Sequence, residues 1–156
     1  MNSSTVQADF LVRHTRLLMQ SYARLFVAPL IDHVADDANV AALLHAPFVV
    51  VSHNVAVDPV FNYANHKALA LFEFSWDEFT CLPSRLSAEP INQQDREALL
   101  ASVRERGFIP NYQGIRRSKT GRRFQINNAV VWNLYDQDDV YCGQAACIKE
   151  WVFLPN

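Results

Sequence analysis

The side chains of this sequence that could do chemistry are five histidines, three cysteines and a few arginines and amides, and their spacing sets what each could do. His14, His33, His45, His53 and His66 form no i,i+4 pair and no HExxH pattern, and no GxSxG elbow, P-loop or GxGxxG fingerprint occurs. His53, beside Asn54 at a strand end, stands where a general base could stand, although a lone His there more often serves as a hydrogen-bonded loop residue. Cys81, Cys142 and Cys147 are odd in number and lack CxxC spacing, so neither a zinc site nor a disulfide framework is indicated. Reduced, mostly buried thiols are expected, with Cys142 and Cys147 on opposite faces of one strand. No catalytic residue is nominated, and a binding role is expected in place of an enzyme.

Candidate binding residues are easier to name. Arg85 lies between Pro83 and Pro90, and a guanidinium held on a restricted loop suits bidentate contact with a phosphate or carboxylate. Its structural alternative is a lock onto Glu89 or loop carbonyls. In the stretch Arg123 to Tyr135, strict alternation places Phe124, Ile126, Asn128, Val130, Trp132 and Leu134 on one face, expected to line the helices and any pocket. An unpaired buried amide costs about 1–3 kcal/mol, so Asn128 in that row needs a ligand, a water or a structural partner. Gln144 is weighed in the same way. Arg116, Arg117, Lys119, Arg122 and Arg123 cluster around Gly121, but no aromatic platform is interleaved, so a solvated hairpin tip is the expectation.

Elements must position these groups. With 156 residues, half of them hydrophobic and a net charge of -2, the chain is long enough for one real core and has no overall field to hold nucleic acid or an anionic membrane. Val6, Phe10, Leu11, Leu17, Leu18, Tyr22, Leu25 and Phe26 recur at helical spacing, so an amphipathic helix opens the chain and ends by Pro29. Asp36, Asp37 and Asn39 read as a break before a short helix from Val40 to His45. Strands are expected at Phe48–Ser52 and Val60–Tyr63, and short helices at His66–Phe74 and after Ser75, capped by Asn65 and Ser75. A helix then runs from Asn92 to Arg106, stopped by Gly107. Strands Tyr112–Arg117, Arg123–Tyr135 and Tyr141–Phe153 follow, joined by tight turns. The fold class is α+β, with a five-stranded antiparallel sheet, short helices on one face and an N-terminal amphipathic helix. A boundary near Ala46 divides a helical extension, 1–46, from the main domain, 47–156.

Three segments carry a family likeness. Val60-Phe61-Asn62-Tyr63-Ala64-Asn65, Ser75-Trp76-Asp77-Glu78-Phe79 and Lys119-Thr120-Gly121-Arg122-Arg123-Phe124 resemble, in this order, the second strand, a helix start and the hairpin of PAS domains. Leu82-Pro83-Ser84-Arg85-Leu86-Ser87-Ala88-Glu89-Pro90, Tyr112-Gln113-Gly114-Ile115-Arg116, Val131-Trp132-Asn133-Leu134 and Gly143-Gln144-Ala145-Ala146 resemble the PAS-related MEKHLA family more closely. That family occurs alone in bacteria and at the C-terminus of plant homeodomain-leucine zipper proteins, and the stand-alone type is expected here. In flavin-binding LOV domains the loop corresponding to Leu82–Glu89 holds a reactive Cys followed by an Arg. Ser84 stands in the Cys position and Arg85 in the Arg position, while Arg116 and Ile126 replace two Asn that hold the flavin ring.

The resemblance implies a sensory, ligand-binding or protein-interaction domain with a small apolar or flavin-like ligand of unknown identity. Its site residues would be Ser84, Arg85, Asn128, Gln144, Tyr63, Ile126 and Phe124. A filled core without ligand and a small cone-shaped α+β lyase or isomerase are the rival readings. Homodimerisation through the 6–26 helix is expected. So is a cytoplasmic location, from the missing leader and membrane span, with neither nucleic acid nor membrane as a direct partner.

Overall fold

The computed structural model describes residues 3–32, 34–88 and 93–155; His33, Glu89, Pro90 and Asn92, named above, lie outside them. Helical spacing winds the opening segment into α1 (Ser3–Ala23), which is followed by α2 (Asp36–Leu44). Asp36 and Asp37 start that second helix instead of breaking the chain, since carboxylates suit the positive end of the helix dipole. Asn39, buried, accepts from Val34 N through its side-chain oxygen.

The main body runs β1 (Val49–His53), β2 (Phe61–Ala64), α3 (His66–Phe72), α4 (Trp76–Phe79), a 3-10 turn at Ser84–Ser87, and α5 (Gln93–Arg106). It continues through β3 (Phe108–Arg117), β4 (Arg123–Tyr135), β5 (Tyr141–Ile148) and β6 (Glu150–Phe153). All the pairings are antiparallel, in the order β2-β1-β5-β4-β3, with β6 continuing β5's line along the first half of β4. The last expected strand is therefore two strands.

That break has a cause with consequences for the site. Asn128 has φ 52, a left-handed conformation that bends β4 opposite the gap between β5 and β6. Side-chain parity reverses there. Phe124 and Ile126 face the same core as α3 and α5, but beyond the bend that core receives Ala129 and Val131. Trp132, Leu134 and Val130 turn instead to the core under α1. The expectation that all six even-numbered positions share one face is thus corrected. A second irregularity, where Tyr135 pairs with Tyr141 and Leu134 with Gly143, puts Cys142 and Cys147 against the same core and not on opposite faces. Glycine is required at position 143, where φ is 135 and a Cβ would sit 2.0 Å from the His53 carbonyl oxygen. Cys81 is exposed, Cys142 half-buried and Cys147 buried, the last thiol pushed up to about 11 by burial.

The sheet is a partition between two apolar cores. On its back, Leu18 of α1 and Leu43 of α2 are fully buried with Val50, Tyr63, Trp132 and Leu134. The amphipathic stripe of α1 lies on the domain's own sheet, across the boundary drawn near Ala46. On its front, Phe61, Phe72 and Phe79 pack with Phe124 and Val103. Asn65 ties the layers together: Oδ1 accepts from Ala68 N and Val50 N, both at 3.1 Å, and Nδ2 donates to Leu43 O and Phe48 O at 3.1 and 2.8 Å.

Candidate functional site

Between the front of the sheet and the layer of α3, the 3-10 turn and α5 lies a cavity of about 80 Å³. Its lining is mostly apolar: Val51 of β1, Ile126, Ala129 and Val131 of β4, Ala146 and Ile148 of β5, and Phe72 and Leu99 from the helical side. The volume is well below the ~300 Å³ at which drug-sized ligand pockets begin. Outside it, a cleft of about 570 Å³ runs between the Asn54–Pro59 loop, Arg85, Arg104 and Tyr141. His53, Leu100 and Gln144 border both spaces, so they form the wall between them.

Gln144 is the main polar feature of that wall. Its Nε2 donates to Leu100 O at 3.2 Å and to Asn133 Oδ1 at 3.1 Å. Asn133 in turn donates from Nδ2 to Val103 O at 3.1 Å and to Tyr135 Oη at 3.2 Å. Because both backbone carbonyls can only accept, the orientation of each amide is fixed by chemistry. Gln144 Oε1 is left buried without a hydrogen-bond partner. At β3, Arg116 Nη2 donates to Tyr112 Oη at 2.6 Å. Tyr112 can fold back this closely because residue 114 is glycine, where a Cβ would come within 2.4 Å of the Tyr112 hydroxyl oxygen.

The seven residues named from sequence separate into groups. Ser84, Ile126 and Gln144 line the cavity, as do Arg116 and Ile126 at the positions that differ from the LOV pattern. Phe124 is fully buried in the front core beside them. Arg85 lies in the outer cleft, its Nε at 3.2 and 3.1 Å from the Asp58 carboxylate oxygens, so its partner is the loop before β2. Glu89, the carboxylate considered for it, is outside the described residues. Tyr63 is on the back of the sheet, stacked on His14 of α1 and edge-on to Trp76, because a bulge in β2, where Tyr63 pairs with Ser52 and Phe61 with His53, leaves Asn62 extra and puts Tyr63 on the face opposite Phe61. Its hydroxyl has no hydrogen-bond partner and burial pushes its pKa up. Asn128 is exposed at the bend of β4 and donates to Glu150 Oε2 at 3.1 Å, outside both the cavity and the cleft. The basic hairpin disperses into separate contacts, Lys119 with Glu78 and Arg122 over the Phe153 ring.

Sequence reasoning missed Asn133, which joins the cavity wall to α5, and the His14–Ser52 contact. A polar residue within the apolar run Val131-Trp132-Asn133-Leu134 was the available signal for the first. His14 Nε2 lies 2.8 Å from Ser52 Oγ, which itself donates to Asn62 Oδ1 at 2.5 Å, so Nε2 carries the hydrogen. Burial lowers His14 to about 4.

The family model of the MEKHLA domain matches residues 12–153. The chain belongs to the MEKHLA domain family. The match begins inside α1, so this family unit includes most of the helix that covers the sheet. Homeobox-leucine zipper protein HOX29 from Oryza sativa subsp. indica is 28% identical over 150 residues, covering 89% of this chain and 17% of that protein. Its counterpart in subsp. japonica is 27% identical over the same shares. The MEKHLA chain thus spans about one-sixth of the length of these relatives. Among solved structures, a PAS domain from Colwellia psychrerythraea superposes with a TM-score of 0.63 at 12% identity, covering 73% of this chain and 94% of that one. A light-oxygen-voltage domain studied with a flavin analogue gives 0.59 at 18% identity, over 76% and 85% of the two chains. These likenesses establish a PAS fold.

Proposed function

We propose that this MEKHLA domain is a sensory module in which occupancy of the front cavity is reported to α1 on the back of the sheet. The observation that carries the reading is an unbroken path of contacts between the two. Gln144 binds Asn133, Asn133 binds Tyr135, and Tyr135 exchanges two hydrogen bonds with Ser21 of α1, N to Oγ at 3.0 Å and Oγ to the carbonyl at 3.2 Å. A molecule that moves Gln144 must either move Asn133 or break a buried hydrogen bond, and the strain reaches the last turns of α1. The role is one of binding and signalling and not of catalysis. Its setting is the cytoplasm, without direct contact to nucleic acid or membrane; no helix among the described residues is long and apolar enough to cross a membrane. Homodimerisation would use what the sheet leaves uncovered on α1, such as Val6.

The ligand in this reading is smaller than a flavin. A cavity of about 80 Å³ holds no three-ring system without displacement of the helical layer, and Arg116 and Ile126 offer none of the amide contacts of the LOV pattern. The same small volume favours a second reading, an interaction module whose core is filled and whose surface does the work.

Ala146→Leu fills the cavity from the central strand and imitates occupancy. Hydrogen exchange of the α1 amides near Ser21 should change in that variant, and should no longer respond once Ser21 is also Ala. An α1 whose protection ignores Ala146→Leu would favour the filled-core module. Absorbance of the purified protein from about 350 to 500 nm, with mass spectrometry of extracted molecules, tests for a flavin.

A further inference from the structure

We infer that His45 and His66 together bind a divalent transition-metal ion of the zinc class at the junction of α2 and α3. The two residues stand 21 positions apart in sequence, yet their Nδ1 atoms meet at 3.2 Å, with the ring planes 81° apart and both residues exposed. Two bare lone pairs at that separation repel, as do two N–H groups, so the rings must share something between them. Without metal it is one hydrogen, donated from Nδ1 of one ring to Nδ1 of the other. A metal ion satisfies both lone pairs at once. At ~2.0–2.1 Å from metal to imidazole nitrogen, donors 3.2 Å apart subtend roughly 100–106° at the ion, near the tetrahedral angle that zinc adopts. The displaced hydrogen passes through solvent to Nε2 of its own ring, so both imidazoles bind in the neutral form and no net proton is released.

The backbone that carries the two rings is anchored independently of them. Asn65, fully buried, donates to Leu43 O, two residues before His45, and caps α3 at Ala68 N, two residues beyond His66. His45 is the C-cap of α2 and His66 the first residue of α3, so each imidazole hangs from a helix end that the same amide fixes. Preorganisation of this kind lowers the ordering cost of chelation. The donors also select the ion, because imidazole suits zinc, copper and nickel, whereas calcium and magnesium take oxygen ligands. The adjacent ammonium, that of Lys67, lies over the Trp151 ring. Among the described residues no third His, Cys, Asp or Glu joins the pair, so water fills the remaining positions. Leu43 of α2 packs in the back core and Ala68 and Leu71 of α3 in the front one, and a bound ion therefore staples the two layers together.

Zinc titrated into the full chain carrying Cys81→Ser, which removes the exposed thiol, should bind one-to-one and shift the ring nitrogen resonances of His45 and His66 together. His45→Ala or His66→Ala should each weaken binding by about tenfold or more, and the double variant little further, because chelation is lost with the first ring. Zinc should also raise the denaturation midpoint of the Cys81→Ser parent and of neither histidine variant. Binding that survives both substitutions, or that falls in two equal and independent steps, would overturn the site. So would ring resonances in the parent that stay unmoved at millimolar zinc.

Discussion

Asn65 shows how much one residue can hold. Recognised from sequence as a helix cap, it is fully buried and uses its amide in four hydrogen bonds that join α2, β1 and α3. Asn65→Ala strands two backbone N–H groups and two carbonyls, so it should destabilise the domain by about 3 kcal/mol or more, read as a lower denaturation midpoint with an unchanged m-value. A loss below about 1 kcal/mol, the usual worth of a cap alone, would mean that the inter-element bonds contribute little. Arg85 should behave in the opposite way. Its ion pair with Asp58 is half-exposed on both sides, so Arg85→Ala should cost at most about 1 kcal/mol, and less at high salt. Ser84, buried at the cavity, has no thiol to form a light-driven flavin adduct, and Cys81 is exposed after α4. Blue light should leave the absorbance of the flavin-incubated protein without adduct-like bleaching and recovery.

Among the elements, α1 depends most on pH. His14 docks the helix as a neutral imidazole, lying between Phe10 and Tyr63 with its Nε2–H toward Ser52, and burial lowers its pKa from 6.5 to about 4. The unfolded chain then binds the proton more readily than the folded one, so stability falls as pH drops from about 6.5 toward 4 and levels off below. On the order of 3 kcal/mol is at stake. His14→Gln should flatten that part of the stability profile; an equally steep profile in the variant would place the pH dependence elsewhere. Glu78 acts lower on the scale. Its ion pair with Lys119 and the Ser75 N–H hold it at about 2, so its contribution is present above the ordinary carboxylate range and lost as acid approaches that value.

The same elements mark how far the sequence was legible. The order of helices and strands, the caps at Asn65 and Ser75 and the stop at Gly107 follow from local chemistry, which a linear reading can follow. The faces of β4 do not. Strict alternation failed at Asn128, because a single left-handed residue reverses parity without altering the pattern of residue types. Alternation therefore points Asn128 at the cavity and hides Ala129 and Asn133, and a separate bulge in β2 misleads in the same way at Tyr63. Gln144 was reached through family likeness, and its fixed orientation depends on partners 11 and 44 residues away in sequence.

At the scale of the molecule, the sheet is a thin partition with a near-filled core on each side, and the function proposed for it depends on whether the sides communicate. Deleting residues 1–30 would uncover Trp132, Leu134 and Val50, and it should unfold the domain instead of merely changing its assembly state. A truncated chain that keeps its cooperative unfolding would show the helix to be dispensable. Communication itself is tested most directly by a double-mutant cycle on Gln144→Leu and Ser21→Ala, read as the opening free energy of the α1 amides by hydrogen exchange. The hydrogen-bond path between the two residues runs through Asn133 and Tyr135, and independent sites would give effects that add to within about 0.5 kcal/mol. The relay predicts a coupling clearly larger than that; additivity within it would contradict a sensory link between the cavity and α1.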